Sequence, residues 1–294
     1  MERSKVYFSR EITPEKVLEL YDAVGLKLEG KTAVKLHSGE KGNQNFIGPE
    51  FWKPMIEAVG GTVVECNTAY GGARNTTEKH TKLMQEHGWS EYFDVDILDA
   101  EGPDLELAIP DGISIKKNYV GKNIADYGSL LVLSHFKGHP MGGFGGALKQ
   151  LSIGCASSAG KAYIHSAGKT TSTKTVWLRL PKQEKFLEAM ADAAASVARY
   201  FEGRAVYINV MKNLSVDCDC CSKAEDPCMK DIGILASLDP IAIDKACIDL
   251  VYAATDDPGQ KHLIERIESR KGIHTVEASL GRGFGTDEYE LTEL

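Results

Sequence analysis

The stretch Ser129-Leu130-Leu131-Val132-Leu133 is the clearest indication of the fold class. A strand with one face toward water alternates apolar and polar residues, whereas residues 130–133 are apolar without interruption. Continuous apolar runs of this length are typical of central strands in parallel sheets, which helices cover on both faces. Strand, loop and helix patterns alternate on either side of the stretch. The sequence therefore predicts an α/β protein with a largely parallel or mixed sheet flanked by helices.

We expect residues 1–294 to form a single α/β domain, with the Gly/Ser/Thr-rich region 154–175 as the candidate boundary between two lobes. Thr13 followed by Pro14, and Asp239 followed by Pro240, predict helix starts, because a polar cap and a proline suit the first turn. In the helix after Pro240, Asp244 and Asp249 are expected on a solvated face.

Composition restricts the function classes. The chain has 294 residues and a formal net charge of −8, without a strong Lys/Arg run, so nucleic acid is not an expected partner. No stretch reaches the roughly 18–20 apolar residues of a membrane helix. The segment Met1–Lys5 predicts no signal peptide, and seven cysteines, an odd number, favour the reducing cytoplasm.

Polar and glycine-rich residues follow the central strand, in a segment that runs from Ser134 to Lys149. Ligands of open α/β sheets bind at the carboxyl ends of strands, and glycines there expose backbone amides to an anion. The segment therefore predicts a pocket for a small anionic ligand. We expect catalytic roles for His139, Lys149 and the downstream His165. The expected ligand-binding residues are Lys137, His135, Gly143, Gly145, Gly146, Arg74 and His80.

Four of the seven cysteines lie within eleven residues, in an acidic, turn-rich stretch: Cys218, Cys220, Cys221 and Cys228. Such a group suits a disulfide cluster, a redox thiol pair or a metal site, and unrelated buried thiols are the alternative. Converging thiolates in a reducing compartment favour a metal. Cys221 is the least certain ligand, because it would face away from Cys218 and Cys220 in an extended chain. Cys66, Cys155 and Cys247 are expected to be packing thiols.

These motifs resemble those of a known protein family. The segments Asp217-Cys218-Asp219-Cys220 and Asp231–Pro240, together with Lys137-Gly138-His139, resemble domain-of-unknown-function family 362 over most of the chain. Members often accompany iron–sulfur ferredoxin modules, so the resemblance implies metal or cluster chemistry. This chain lacks a separate ferredoxin-type cysteine run, so a cluster would use the cysteine stretch itself.

A fainter similarity is to the amino-terminal domain of nickel-pincer lactate racemases. His139, Gly143-Phe144-Gly145-Gly146, Lys149 and His165 occur in that family's order and at similar spacing. Leu148 replaces the family's arginine and Gly145 its middle serine. The resemblance therefore implies a shared pocket and does not extend to the racemase reaction.

Three functions remain open from the sequence. The leading hypothesis is an iron–sulfur protein, with a 4Fe-4S cluster and a redox partner protein. The second is an enzyme that acts on a small anionic substrate at the His/Lys/Gly-rich pocket, with a structural metal at the cysteines. The third is a structural zinc protein.

Overall fold

The structure is a computed structural model that describes residues 3–294. Met1 and Glu2, which belong to the segment considered for a signal peptide, lie outside the described residues. The strands within residues 3–294 are β1 (Ser4–Ser9), β2 (Thr32–Lys35), β3 (Thr62–Glu65), β4 (Val95–Ile97), β5 (Leu105–Ala108), β6 (Lys117–Val120), β7 (Ser129–His135), β8 (Lys137–His139), β9 (Gly143–Gly145), β10 (Ala205–Met211), β11 (Gly233–Ser237) and β12 (Tyr289–Glu293).

Helices cover the sheet on both faces. They are α1 (Pro14–Val24), α2 (Pro49–Val59), α3 (Thr77–Glu86), α4 (Trp89–Tyr92), α5 (Ala147–Lys149), α6 (Ser158–His165), α7 (Gln183–Tyr200), α8 (Pro240–Ala253), α9 (Gln260–Ser269) and α10 (Ile273–Leu280). A π-helical turn, Gln150–Gly154, continues α5, and Lys122–Asp126 and Val176–Leu178 are 3₁₀ helices. No helix in the described part of the chain is long and apolar enough to cross a membrane.

The main sheet has eight strands in the order β12-β1-β11-β10-β7-β2-β3-β4. Strands β10, β7, β2, β3 and β4 pair in parallel, and β11 runs antiparallel to both of its neighbours. The pairs β5–β6 and β8–β9 form two small antiparallel sheets. The predicted α/β class with a largely parallel or mixed sheet is therefore confirmed.

Strand β7 lies at the centre of the parallel part, and all seven of its residues are buried. Leu130 and Val132 pack into the core on one face, with residues of α7 and α8. Leu131 and Leu133 pack into the core on the other face, with residues of α1 and α2. This two-sided burial explains the uninterrupted apolar run, because neither face of the strand meets water.

The predicted helix starts are present. Thr13 Oγ1 accepts the Lys16 backbone N–H at 3.2 Å at the start of α1. Asp239 Oδ1 accepts the backbone N–H of Ile241 at 2.8 Å at the start of α8. Both interactions satisfy amides that have no partner within the helix.

The chain order places the cysteine stretch at the ligand-binding edge of the sheet. The loop 212–232, called the cysteine loop below, leaves the carboxyl end of β10 and returns as β11. Strand β10 pairs in parallel with β7, so the loop begins beside the residues that follow β7. Both predicted sites therefore lie at one edge.

Candidate metal centre

The cysteine loop is held by side-chain amides from the β2–α2 connection. Asn43 Nδ2 donates to the carbonyl oxygens of Cys218 at 3.3 Å and Cys221 at 2.8 Å. Asn45 Nδ2 donates to the carbonyl of Glu225 at 2.8 Å. These bonds satisfy backbone carbonyls of an irregular segment, which would be costly to bury without partners. The loop is thus held in place while all seven cysteines remain free thiols.

Asp219 joins the middle of this loop to the strands beneath it. Its buried carboxylate accepts a hydrogen bond from His135 Nδ1 at 3.0 Å and another from Lys137 Nζ. Burial opposes ionisation, but the charges of His135 and Lys137 hold the pKa of Asp219 well below its ordinary value. His135 Nε2 donates to the carbonyl of Lys212, so both ring nitrogens face acceptors. Expected ligand-binding residues His135 and Lys137 thus anchor the loop.

Two thiols and one imidazole converge next to this anchor. The ligand atoms of His139, Cys218 and Cys220 all lie within 4.8 Å of one another. Lys149 Nζ lies 3.5 Å from Cys218 Sγ, and His139 Nε2 lies 3.7 Å from Cys220 Sγ. A hydrogen bond from Cys220, reinforced by the charges of Lys149 and Lys137, holds the pKa of Cys218 well below its ordinary value. Nitrogen and sulfur donors at this spacing suit zinc or iron.

The hydrogen bonds of His139 limit its part in metal binding. His139 Nδ1 accepts the backbone N–H groups of Met141 at 3.1 Å and Gly142 at 2.8 Å. The neutral ring therefore carries its proton on Nε2, on the side of the thiols. In this arrangement His139 donates to sulfur, and it would coordinate a metal through Nε2 only after losing that proton. Cys218, whose pKa is lowered, fits a metal more directly than the imidazole does.

The other two cysteines of the loop occupy different surroundings. The neighbouring Cys220 side chain lowers the pKa of Cys221. Cys228 Sγ instead donates to the carbonyl of Leu214 at 3.2 Å, and burial raises the pKa of Cys228. The structure therefore brings together Cys218 and Cys220, with Cys221 adjacent, while Cys228 lies outside the group.

A cavity of about 130 Å³ adjoins the Cys220 thiol. Its wall includes residues that follow three parallel strands: His37 after β2, Arg74 after β3 and His139 after β7. The carboxyl ends of parallel strands share one edge, which is why residues so distant in sequence meet here. The remaining polar lining residues are Lys35, Glu65, Thr68, Tyr70, Lys149, Gln150, Lys161, His165 and Cys220.

Two of the cavity's cations have carboxylate partners. Lys35 Nζ lies 2.7 Å from Glu65 Oε2, and Arg74 Nε lies 3.2 Å from Glu40 Oε2. Burial opposes the ionisation of Glu65, but Lys35, His37 and Arg74 together hold its pKa well below the ordinary value. Arg74 lines the cavity, although Glu40 and Glu65 already balance its charge.

The two remaining histidines predicted at the site are both buried and neutral. His165 lines the cavity, its Nδ1 donates to the carbonyl of Lys161 at 2.7 Å, and burial lowers its pKa to about 4. The free Nε2 of this tautomer is an acceptor. His80 is buried but does not line the cavity, and burial lowers its pKa to about 3. The structure thus places His165, but not His80, at the cavity.

The anion bound by the glycine-rich segment is a carboxylate of the protein itself. Gly143 and Gly145 belong to β9, which pairs with β8. The Asp244 carboxylate accepts the backbone N–H groups of Ala147 at 2.7 Å and Leu148 at 2.9 Å, and a Cβ on Gly146 would lie 2.3 Å from it. The helix start expected to bind an external anion is therefore occupied by Asp244. The predicted solvated position of Asp244 is wrong, since this side chain is buried and burial raises its pKa to about 6.

The protein is thus an α/β protein with a candidate thiol-rich metal centre beside a charged cavity. Residues 32–249 match the family described as a domain of unknown function (DUF362), and the chain belongs to that family. A search of curated proteins finds no match.

Two solved structures are similar to this chain. One is the lactate racemase apoprotein from Thermoanaerobacterium thermosaccharolyticum, with 13% identity, a TM-score of 0.45 and coverage of 71% of this chain and 51% of that protein. The other is a protein from Thermotoga maritima, with 11% identity, a TM-score of 0.46 and coverage of 92% and 59%. This chain thus spans between half and three-fifths of the length of these proteins.

Proposed function

We propose that this protein binds an iron–sulfur cluster through its cysteine loop and serves in redox chemistry, with the reducing cytoplasm as its compartment. The observation that carries the proposal is the convergence of the Cys218 and Cys220 thiols, with Cys221 next to Cys220 in the chain. Three neighbouring thiols suit a cluster, and a bound cluster supplies one-electron transfer.

The charges around the thiols support this assignment. The acidic residues of the loop next to the thiols are paired: Asp217 lies 3.0 Å from Arg266 Nη1, and Asp219 pairs with His135 and Lys137. Lys149 and the Nε2–H of His139 remain as the donors directed at sulfur. Donors of this kind stabilise bound thiolates and raise the reduction potential of a cluster.

Anaerobic purification tests the cluster. The expected result is brown protein with broad visible absorbance that fades in air, and with iron and acid-labile sulfide in similar amounts. Colourless protein that contains only zinc would favour the structural zinc function instead. Metal analysis of the same sample distinguishes the two.

A second candidate function, an enzyme that acts on a small anionic substrate, is favoured by the cavity. Lys149 and Lys161 line it, and within residues 3–294 neither ammonium group forms an ion pair with a carboxylate. Buried cations without a carboxylate partner suit an anionic ligand, although Lys149 shares its charge with the Cys218 sulfur. Phosphate, sulfate or carboxylate should then raise the thermal midpoint of the parent protein.

The Lys149→Ala variant tests this candidate, with Lys169→Ala as the control because Lys169 is exposed. Protection by the anion should disappear in the first variant and persist in the second. Equal protection of both variants would remove Lys149 from the site.

A further inference from the structure

Lys161 is a buried cation that neither the cluster nor the ion pairs of the cavity employ. It lies on α6, one turn before His165, and 7% of its surface is exposed. Its Nζ donates to the carbonyl of Ala156 at 2.6 Å, and no carboxylate of residues 3–294 lies within ion-pair distance. A buried charge without a counter-ion is costly, and burial accordingly lowers the pKa of Lys161.

The other cations of the cavity already have partners. Glu65 and Glu40 balance Lys35 and Arg74. Lys149 lies beside the Cys218 sulfur, where a thiolate takes its charge. Lys161 is therefore the cation that remains for a ligand, and one unpaired ammonium matches one negative charge.

The wall of the same cavity has an apolar part. Ile153, Trp177 and Phe186 line it with Lys161. The His165 ring stacks on Phe186, with centroids 5.0 Å apart, and meets Trp177 edge-on at 5.1 Å. A cavity of about 130 Å³ has room for a body the size of roughly one six-membered ring. The charge of Lys161 and the apolar wall together favour a ligand that has a charged end and an apolar body.

We propose that Lys161 binds the carboxylate of a small monoanion whose remaining body is apolar, either a single ring or a short branched chain. This inference rests on the proposal that the cavity is a substrate site, and it adds the ligand class and the residue that binds its charge. The apolar body packs against Ile153, Trp177 and Phe186, where it displaces water. Carboxylates without such a body bind more weakly, because they bury less apolar surface.

Calorimetric titration with benzoate, isovalerate and acetate tests the proposal on the intact chain. The parent should bind benzoate or isovalerate at least ten-fold more tightly than acetate. Lys161→Met should weaken that binding at least ten-fold, whereas Lys169→Met, an exposed control on the following loop, should leave it unchanged. Equal affinity of parent and Lys161→Met for the preferred acid overturns the proposal, as does a parent that binds none of the three.

Ile153→Phe provides a second test that does not touch the charge. The larger side chain fills part of the cavity, so benzoate and isovalerate should lose their advantage over acetate while Lys161 remains in place. If the folded variant still prefers benzoate and isovalerate over acetate, the apolar part of the proposal is overturned. This test remains valid even where Lys161→Met does not fold.

Titration of Cys218→Ser separates this inference from the metal assignment. Benzoate binding that survives in this metal-depleted variant supports a site built around Lys161. Loss of binding in Cys218→Ser together with retention in Lys161→Met assigns the ligand to the metal and overturns the inference. Full metal content in Cys218→Ser contradicts the metal assignment. The proposal that Lys161 binds a carboxylate is then still judged by the Lys161→Met titration.

Discussion

The Asp219 carboxylate lies 3.0 Å from Nδ1 of His135, which joins the centre of the cysteine loop to the end of the central strand. Because Cys218 and Cys220 flank Asp219, this bond fixes the positions of both thiols. Asp219→Asn removes the charge that balances His135 and Lys137. We expect a loss of about 3 kcal/mol in the free energy of unfolding and weaker metal retention, measured by urea denaturation and metal analysis.

Asp226→Asn is the matched control within the same loop. Asp226 is exposed and accepts one bond from Gln44 Nε2 at 3.3 Å, so its replacement should change stability little. Equal effects of the two substitutions would contradict the anchoring role of Asp219.

Gly138 allows β8 to approach the start of the cysteine loop. A Cβ at this position would lie 2.4 Å from the carbonyl oxygen of Val216, while the Gly138 N–H donates to the carbonyl of Ser215 at 2.8 Å. Gly138→Ala should displace the loop, cost roughly 1–3 kcal/mol of stability and reduce metal content. Gly71→Ala is the control, because nothing lies within 4 Å of its added methyl group. A Gly138→Ala protein with parental stability and metal content would contradict this account.

The buried His165 should make stability fall in acid. Its pKa is about 4 in the folded protein and near 6.5 in an unfolded chain, so below pH ~6.5 the unfolded state binds a proton that the folded state excludes. The folded state has its full stability with respect to His165 above this pH. As pH falls to about 4, the free energy of unfolding decreases by roughly 3 kcal/mol. His165→Gln removes this dependence.

The measurement is the difference in unfolding free energy between parent and His165→Gln across this pH range. Asp244 and the other buried histidines contribute to both proteins, so the difference isolates His165. We expect the difference to shrink as pH falls. A constant difference for His165→Gln would show that His165 is not held neutral in the fold.

The fold was predictable because its strongest signal is local. The run Leu130–Leu133 reports burial on both faces, and Thr13 and Asp239 cap their helices by bonds to amides two or three residues away. Asp244 was mispredicted, since its partners Ala147 and Leu148 lie almost one hundred residues earlier. Sequence neighbours cannot indicate such long-range pairing.

The site was predictable in its residue types more than in its geometry. Clustering in sequence predicts Cys228 as a metal ligand, yet after the turn that follows Cys221 this thiol lies at the Leu214 carbonyl. Lys161 was missed because a lone lysine in a helix is usually solvated. Its position one turn before His165 was the available signal, since both residues then lie on one helix face.

Metal content of anaerobically purified parent, Cys218→Ser and Cys228→Ser proteins shows whether the converging thiols hold a cluster. Cys218 lies in the converging group, whereas Cys228 lies outside it and serves as the matched thiol control. We expect iron and sulfide in the parent, with most of both lost in Cys218→Ser and retained in Cys228→Ser. Full metal content in Cys218→Ser, or a parent without metal, would contradict this expectation.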